Sequence, residues 1–292
     1  MPTVSVIIPT YNRPELLEKA VLSVLGQTYR DLEVIVVDDG LIQRAETIIS
    51  KLGDPRIRYI QHNKSIGGAA ARNTGIKNST GRFVAFLDDD DEWVSEKLAI
   101  QMSEFENTSD EVGFCFSAVK NIKDNGEETT QVPEGINDYH ELALEWFKGF
   151  LTVTLIIKRT VFEDVGYFDE NFPSHQESEL MLRISKKYKG LGINKPLTLV
   201  NMKRGHGHVG GNLGKRIAGR EMILKKHLEE FKKHPKFLSN HYFGLGLLYR
   251  DNGQYNPAQN CFKKAFEHSF SFRYVMHYVS MMFGGTIYKL FR

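Results

Sequence analysis

Four consecutive aspartates, Asp88-Asp89-Asp90-Asp91, close the apolar run Phe83 to Leu87. Carboxylates this close repel one another, and ionising them together is costly without a counter-charge. A hard divalent cation such as Mn2+ or Mg2+ would supply it, because it takes oxygen ligands and keeps positions open for phosphate. The plainer alternative is a solvated acidic turn. Two more polar clusters stand in comparable places: Pro9-Thr10-Tyr11-Asn12 after Val4 to Ile8, and Asp38-Asp39-Gly40 after Val34 to Val37. One Asp after a strand is most often a cap or turn residue. Three polar clusters ending three apolar runs suggest one crevice.

Periodicity identifies the elements that would position these clusters. Val4 to Ile8, Val34 to Val37, Ile57 to Gln61 and Phe83 to Leu87 are short apolar runs of the kind found in buried parallel strands. Leu16, Leu17, Ala20, Val21, Val24 and Leu25 recur with helical spacing. Asn12 and Glu15 have the form of a capping box there, and Pro14 suits the first turn. A second helix follows Gly67-Gly68 and holds Ala69 to Ile76. Asp91 is expected to cap a helix opening at Glu92-Trp93. Strands separated by helices imply right-handed crossovers and a mostly parallel sheet. Ligands of such sheets bind beyond the carboxyl ends of the strands, where the three clusters fall.

After about residue 107 the pattern becomes mixed. Val112 to Lys120 and Leu151 to Ile157 are expected as strands, Glu177 to Tyr188 as a helix and Ile193 to Met202 as a strand, with a turn at Asp124-Asn125-Gly126. Residues 203 to 236 hold ten Lys/Arg against three Glu. Beyond them, Gly244 to Tyr249, Gly253, Tyr255, Ala258, Phe262 and Ala265 follow the spacing of one tetratricopeptide helix pair.

The stretch VSVIIPTYNRPELLEKAVLSVLGQTYRDLEVIVVDDG, followed by GGAAARNTGIKNSTGRFVAFLDDDDEW, resembles the family 2 glycosyltransferases, inverting enzymes of the GT-A fold with a DXD motif. The likeness is strong over residues 3 to 105 and continues more weakly to about 210. It implies an α/β fold of the nucleotide-diphospho-sugar transferase type: a Rossmann-like, mostly parallel mixed sheet flanked by helices, with a small all-helical extension. Residues 1–107 would then form the nucleotide-sugar half, 108–210 the acceptor half, and 211–292 a basic linker and helical tail.

The resemblance also assigns roles. Pro9, Thr10 and Asn12 match the first nucleotide-binding loop, and Asp39 the carboxylate that reads the base, with Asp38 serving the loop. Arg72 and Asn73 match the segment lining nucleotide and diphosphate. Asp88 or Asp89 would orient ribose or donor sugar, and Asp90 would touch Mn2+ or Mg2+. Glu177 occupies the position of the catalytic base, where Asp is more usual, and Glu179 is the second acidic residue on the acceptor side. A helix-start glutamate favoured by the macrodipole is the alternative for both. Arg204 and His206 match a segment that meets the diphosphate or metal, with His206 favoured over His208. One departure stands out: Leu41-Ile42-Gln43 replaces the family's usual Ser, Thr or Ser, and Asp after Asp-Asp-Gly.

The implied reaction moves a sugar from a nucleotide diphosphate, foremost a UDP-sugar, to a hydroxyl of a glycan or lipid-linked acceptor. A sugar-phosphate nucleotidyltransferase should instead carry a Gly- and Arg-rich loop after its first strand, where Pro-Thr-Tyr-Asn stands. A non-catalytic interaction protein would rest on the single helical repeat. The composition is that of an ordinary globular chain: 292 residues, net charge +2, 41% apolar and 25% charged. Such balance argues against nucleic acid as a partner. Two cysteines suit a reducing, cytoplasmic compartment. The amphipathic stretch Phe272 to Arg292 leaves peripheral membrane contact open.

Overall fold

The strands that carry the polar clusters lie side by side. In the computed structural model, residues 2–146, 149–202 and 212–282 are described. The strands are β1 (Val4–Thr10), β2 (Leu32–Asp38), β3 (Ile57–Gln61), β4 (Phe83–Phe86), β5 (Glu92–Trp93), β6 (Val112–Lys123), β7 (Gly126–Thr130), β8 (Gly135–Asn137), β9 (Ile156–Lys158) and β10 (Lys189–Asn201). The helices are α1 (Pro14–Leu25), α2 (Glu46–Leu52), α3 (Gly68–Asn78), α4 (Lys97–Phe105), α5 (His140–Leu144), α6 (Arg159–Val165), α7 (Gln176–Ser185), α8 (Leu213–Lys226), α9 (Leu228–Lys232), α10 (Pro235–Asp251), α11 (Tyr255–His268) and α12 (Phe272–Met282). The chain divides into two compact units: Met1–Ala143, Phe147–Glu170 and Leu180–His206 form the first, and Leu144–Trp146, Asn171–Glu179 and Gly207–Arg292 the second.

The first unit is built on one mixed sheet, in the order β3-β2-β1-β4-β9-β6-β10-β5, with β7 on β6 and β8 on β10. The strands β3, β2, β1 and β4 are parallel, and β9 is antiparallel to both of its neighbours. Val4, Val6, Ile8, Val34 and Val36 are wholly buried, each contributing roughly 1.5–3 kcal/mol over an exposed side chain. α1 buries Leu17, Ala20, Val21 and Val24, the i, i+3, i+4, i+7 face that its sequence shows. Register then fixes the site. Thr10 lies opposite Asp38, Asp38 opposite Gln61 and Ile7 opposite Phe86, so the segments that follow β1, β2 and β4 leave the same edge of the sheet. This is the GT-A arrangement that the sequence suggests.

Three local expectations are corrected. Asn12 caps nothing: Arg13 is the N-cap of α1, without a side-chain cap bond. Asp91 does not open a helix either. Glu92 and Trp93 form β5 against β10, and α4 begins at Lys97. The run Leu151 to Ile157 is not one strand but a 3-10 turn, Thr152–Thr154, followed by β9.

The second unit is helical. α11 buries Ala258, Cys261, Phe262 and Ala265, again an i, i+3, i+4, i+7 face. Phe243 of α10, Phe262 and Met281 of α12 close its core. Ser239 donates to the Ala265 carbonyl across the α10–α11 pair. Both cysteines are buried free thiols. Among the described residues no helix is long and apolar enough to cross a membrane.

Candidate active site

Asp38 and Asp39 end the same strand but do different things. Asp38 is fully buried. It accepts from the Gly40 and Ala45 amides at 2.8 Å each and from the Tyr59 hydroxyl at 2.7 Å, so it shapes the loop, as expected. Asp39 accepts four hydrogen bonds: from His62 Nδ1 (2.8 Å), Ser65 Oγ (2.8 Å) and the amides of Ile66 and Gly67 (2.9 Å each). Burial alone would raise its pKa, but these four donors outweigh it and hold the carboxyl below its ordinary range. His62 in turn faces Thr74 Oγ1 through Nε2 at 3.0 Å; because the Asp39 carboxylate can only accept, Nδ1 carries the proton donated to it and the Thr74 hydroxyl can serve Nε2 in either role. Every lone-pair direction of Asp39 is thus in use. A base N–H meeting it would displace or share with Ser65, whose hydroxyl alone among the four donors can rotate away.

Asn12 explains the departure at 41–43. Its backbone is left-handed, with φ of 53°. Its Oδ1 accepts from the amides of Leu41 and Ile42 at 3.1 Å and of Gln43 at 3.2 Å. The loop is therefore bonded through its main chain, and hydroxyl or carboxylate side chains at 41–43 are not required for it. Gly40 makes this approach possible. A Cβ there would come within 2.7 Å of the Asn12 amide nitrogen and Oδ1.

The aspartate run meets two guanidinium groups. Arg13 Nη1 lies 3.0 Å from Asp90 Oδ2, Arg13 Nε donates to Asp89 Oδ2 at 3.2 Å, and Arg13 Nη2 pairs with Asp89 Oδ1. Thr10 Oγ1 donates to Asp89 at 2.7 Å. Arg72 Nη2 lies 2.6 Å from Asp88 Oδ1, with its guanidinium 5.9 Å from the Phe168 ring centroid. Burial pushes Asp89 up to about 6, against the pull of Arg13 and Thr10. Asp91 is pushed up to about 8 by burial and then by Asp88, while the Asn201 amide, 2.9 Å away, opposes the shift. Arg13 was not among the residues singled out from sequence. The signal for it was present, an arginine three residues after Thr10, in a loop facing four carboxylates that need a counter-charge.

The fit of a metal can be tested on the donor set. Among the described residues, no three His, Cys, Asp or Glu side chains converge as a metal centre requires. Asp88 and Asp90 each face a guanidinium instead. The described residues do not assemble a metal centre. Arg204, His206 and His208 lie outside them.

Other candidates have structural partners. Pro9 sits in β1 opposite Val37. Asn73 is buried and ties the segment after α6 to α3. Its amide donates to Phe168 O (2.9 Å) and Glu170 Oε1 (2.8 Å), and its Oδ1 accepts from the Phe168 amide (3.0 Å). In the second unit, Glu177 is partly buried in the first turn of α7. Glu179 is wholly buried, with Oε1 3.0 Å from Lys226 Nζ and 3.2 Å from His227 Nε2. That ion pair anchors α7 to α8, a role the spacing did not reveal.

Comparison with known proteins accords with this geometry. The profile of "Glycosyl transferase family 2" matches residues 5–166. This chain belongs to glycosyltransferase family 2. An uncharacterised glycosyltransferase of Rickettsia felis is 36% identical over 210 residues, 69% of this chain, and the match spans 33% of that protein. The chain thus spans about a third of the length of such Rickettsia relatives. In Escherichia coli, the UDP-Glc:alpha-D-GlcNAc-diphosphoundecaprenol beta-1,3-glucosyltransferase WfaP is 29% identical over 89% of this chain and all of its own length. WfgD, which carries the same description, is 31% identical over 65% of this chain and 73% of its own. Among solved structures, S. aureus TarS 1-349 in complex with UDP-GlcNAc superposes with a TM-score of 0.69 at 19% identity, covering 91% of this chain and 82% of that one. The mannosyltransferase PcManGT from Pyrobaculum calidifontis, in complex with GDP-Man and Mn2+, gives 0.60 at 17%, covering 99% and 81%. These structures share the GT-A fold.

Proposed function

We propose that this family 2 glycosyltransferase moves a sugar from a UDP-sugar to a hydroxyl of a lipid-linked glycan acceptor, with inversion. The observation that carries the donor reading is the convergence of Thr10, Asn12, Arg13, Asp39, Arg72 and Asp88–Asp90 at one edge of β2, β1 and β4. Residues 1–107 would hold the donor, 108–210 the acceptor, and 211–292 would form the helical extension. The leaving diphosphate gathers negative charge, and fixed cations aimed at it lower the barrier. Arg13 and Arg72 are the cations that the described residues offer there. Mn2+ or Mg2+ on Asp90 would act in the same sense, but no step here depends on it. Glu177 would take the proton of the acceptor hydroxyl. The acceptor class is supported by the names of WfaP and WfgD.

The decisive assay uses the full chain with a panel of UDP-, GDP- and dTDP-sugars and a prenyl-diphosphate-linked N-acetylglucosamine. Transfer is expected from a UDP-sugar, with the product in the inverted configuration. No transfer from any UDP-sugar, with turnover of another nucleotide, would overturn the donor assignment. Repeating the assay in EDTA separates a cation-dependent reaction from one that the two arginines support alone.

A lipid-linked acceptor also accounts for α12. Phe272, Met276 and Val279 are exposed at i, i+4 and i+7, one face of that helix, with Phe270 exposed just before it. We infer that this face rests on a membrane surface. The full chain is expected to float with phosphatidylglycerol vesicles, and Phe272→Asp with Met276→Asp to remain in the soluble fraction. Equal partitioning of the two forms would end the idea.

A further inference from the structure

Helix α8 carries a cationic cluster that the donor side does not use. The Arg220 guanidinium packs against both Trp146 and α10. Its Cζ is 4.2 Å from the Trp146 ring centroid. On α10, a Cβ on Gly244 would come within 2.6 Å of Cζ and both terminal nitrogens, so with the guanidinium in this place only glycine leaves room for it. Arg220 Nε is enclosed without a hydrogen-bond partner. Arg216 stands one turn earlier on α8, and neither arginine forms an ion pair with a carboxylate among the described residues. The charge acting most on Arg220 is Arg216, a like charge, which together with the larger effect of burial pushes it down to about 10.

The surroundings repeat this bias. Trp146 meets the His175 ring at 4.6 Å and the His241 ring at 5.0 Å. Burial, and then Arg220, push His175 down to about 4 and His241 to about 3. Trp146 and His175 both hold positive φ, 73° and 60°, which costs a residue with a β-carbon roughly 1–2 kcal/mol. Lys97, a wholly buried cation, makes a useful contrast. It bonds to Gln101 and the Thr154 carbonyl, and burial pushes it down to about 7, so it can shed its charge. An arginine has no such escape. A partly buried guanidinium with an enclosed Nε, beside a second arginine and with no carboxylate among the described residues facing either, is a place prepared for an anion.

Chain order indicates which anion. His175 precedes Glu177 by two residues, so the cluster adjoins the carboxylate assigned to the acceptor side, within the same unit. We propose that Arg216 and Arg220, walled by Trp146 and His175, bind the phosphate groups of a prenyl-diphosphate-linked acceptor. The guanidinium fork matches phosphate oxygens in pairs. In such an acceptor the attacking hydroxyl and the diphosphate belong to one sugar, so a single ligand could engage Glu177 and the arginines together. This inference rests on the lipid-linked reading above.

The test uses the full chain, Arg216→Ala and Arg220→Lys, with inorganic pyrophosphate and geranyl diphosphate as calorimetric probes. UDP is titrated into the same proteins. Each variant is expected to bind geranyl diphosphate about ten-fold or more weakly, the loss of a charge-assisted pair, with UDP affinity unchanged. The KM for the diphosphate-linked acceptor should rise by a similar factor, with kcat little altered. The KM for the same sugar on an uncharged alkyl glycoside should stay put. Equal losses on both acceptors, or no loss on either, would overturn the proposal. So would a loss confined to phosphatidylglycerol vesicles, which would assign the cluster to lipid headgroups. If the parental enzyme uses neither acceptor while geranyl diphosphate binding still depends on Arg216, the anion site stands and the lipid-linked reading falls. Arg216→Ala keeps the test open should Arg220→Lys not fold.

Discussion

Glu177→Gln is expected to lower the transfer rate by about 10^3-fold while leaving the affinity for UDP as it was. Glutamine keeps the shape of the side chain and cannot take a proton, so the variant separates chemistry from positioning. Glu177 stands in the first turn of α7. Its neighbour cannot take over. Glu179 is wholly buried, ion-paired to Lys226 and within 3.2 Å of His227 Nε2, and a carboxylate so held is not available to an acceptor hydroxyl. Single-turnover transfer and calorimetry with UDP, run on the same preparation, give the two quantities. Transfer at the parental rate would remove Glu177 from the role of base. Loss of UDP affinity in parallel would show that its contribution is structural.

Arg13→Met should have the largest effect on stability, and the effect should depend on pH. Breaking a buried ion pair by removing one partner costs about 3–5 kcal/mol. Arg13 is 32% exposed, which screens its charge, so about 2–3 kcal/mol is expected at pH 8. The sign follows from Asp89, whose carboxyl is already pushed up to about 6 by burial, with Arg13 opposing. A folded pKa above the unfolded one gives stability that is complete at low pH and is lost as pH rises through the folded value. Without Arg13 that value climbs further, so near pH 5 Asp89 is protonated in the folded variant and the share of the deficit that belongs to the Asp89 pair disappears, while the share from the lost Asp90 pair remains. Urea unfolding at pH 5 and pH 8 measures this difference. An equal deficit at both would mean that the loss does not come from the Arg13–Asp89 charge pair.

Much of this arrangement is legible in the sequence. The runs Val4 to Ile8, Val34 to Val37 and Phe83 to Leu87 are buried on both faces, and such strands declare themselves as unbroken apolar segments. Their parallel order places Thr10, Asp38 and the aspartate run at one edge. What stayed hidden depended on residues distant in the chain. Asp91 looked like a helix cap because its partner, the Asn201 amide, is 110 positions away. Asn12 fitted a capping pattern because its three amide donors belong to another loop. Leu151 to Ile157 read as a strand because an apolar run alone cannot distinguish β9 from the 3-10 turn before it. The need of four aspartates for positive charge was foreseen in kind. The described residues meet it through Arg13 and Arg72, neighbours that spacing alone does not pair with particular carboxylates.

The bonding of the 41–43 loop has an evolutionary corollary. Because Asn12 grips main-chain amides, the identities of Leu41, Ile42 and Gln43 carry almost no information about folding, and Leu41 and Ile42 already point their side chains into solvent. A rim built this way can drift or be recombined without a stability toll, and new substrate preferences can be sampled there one residue at a time.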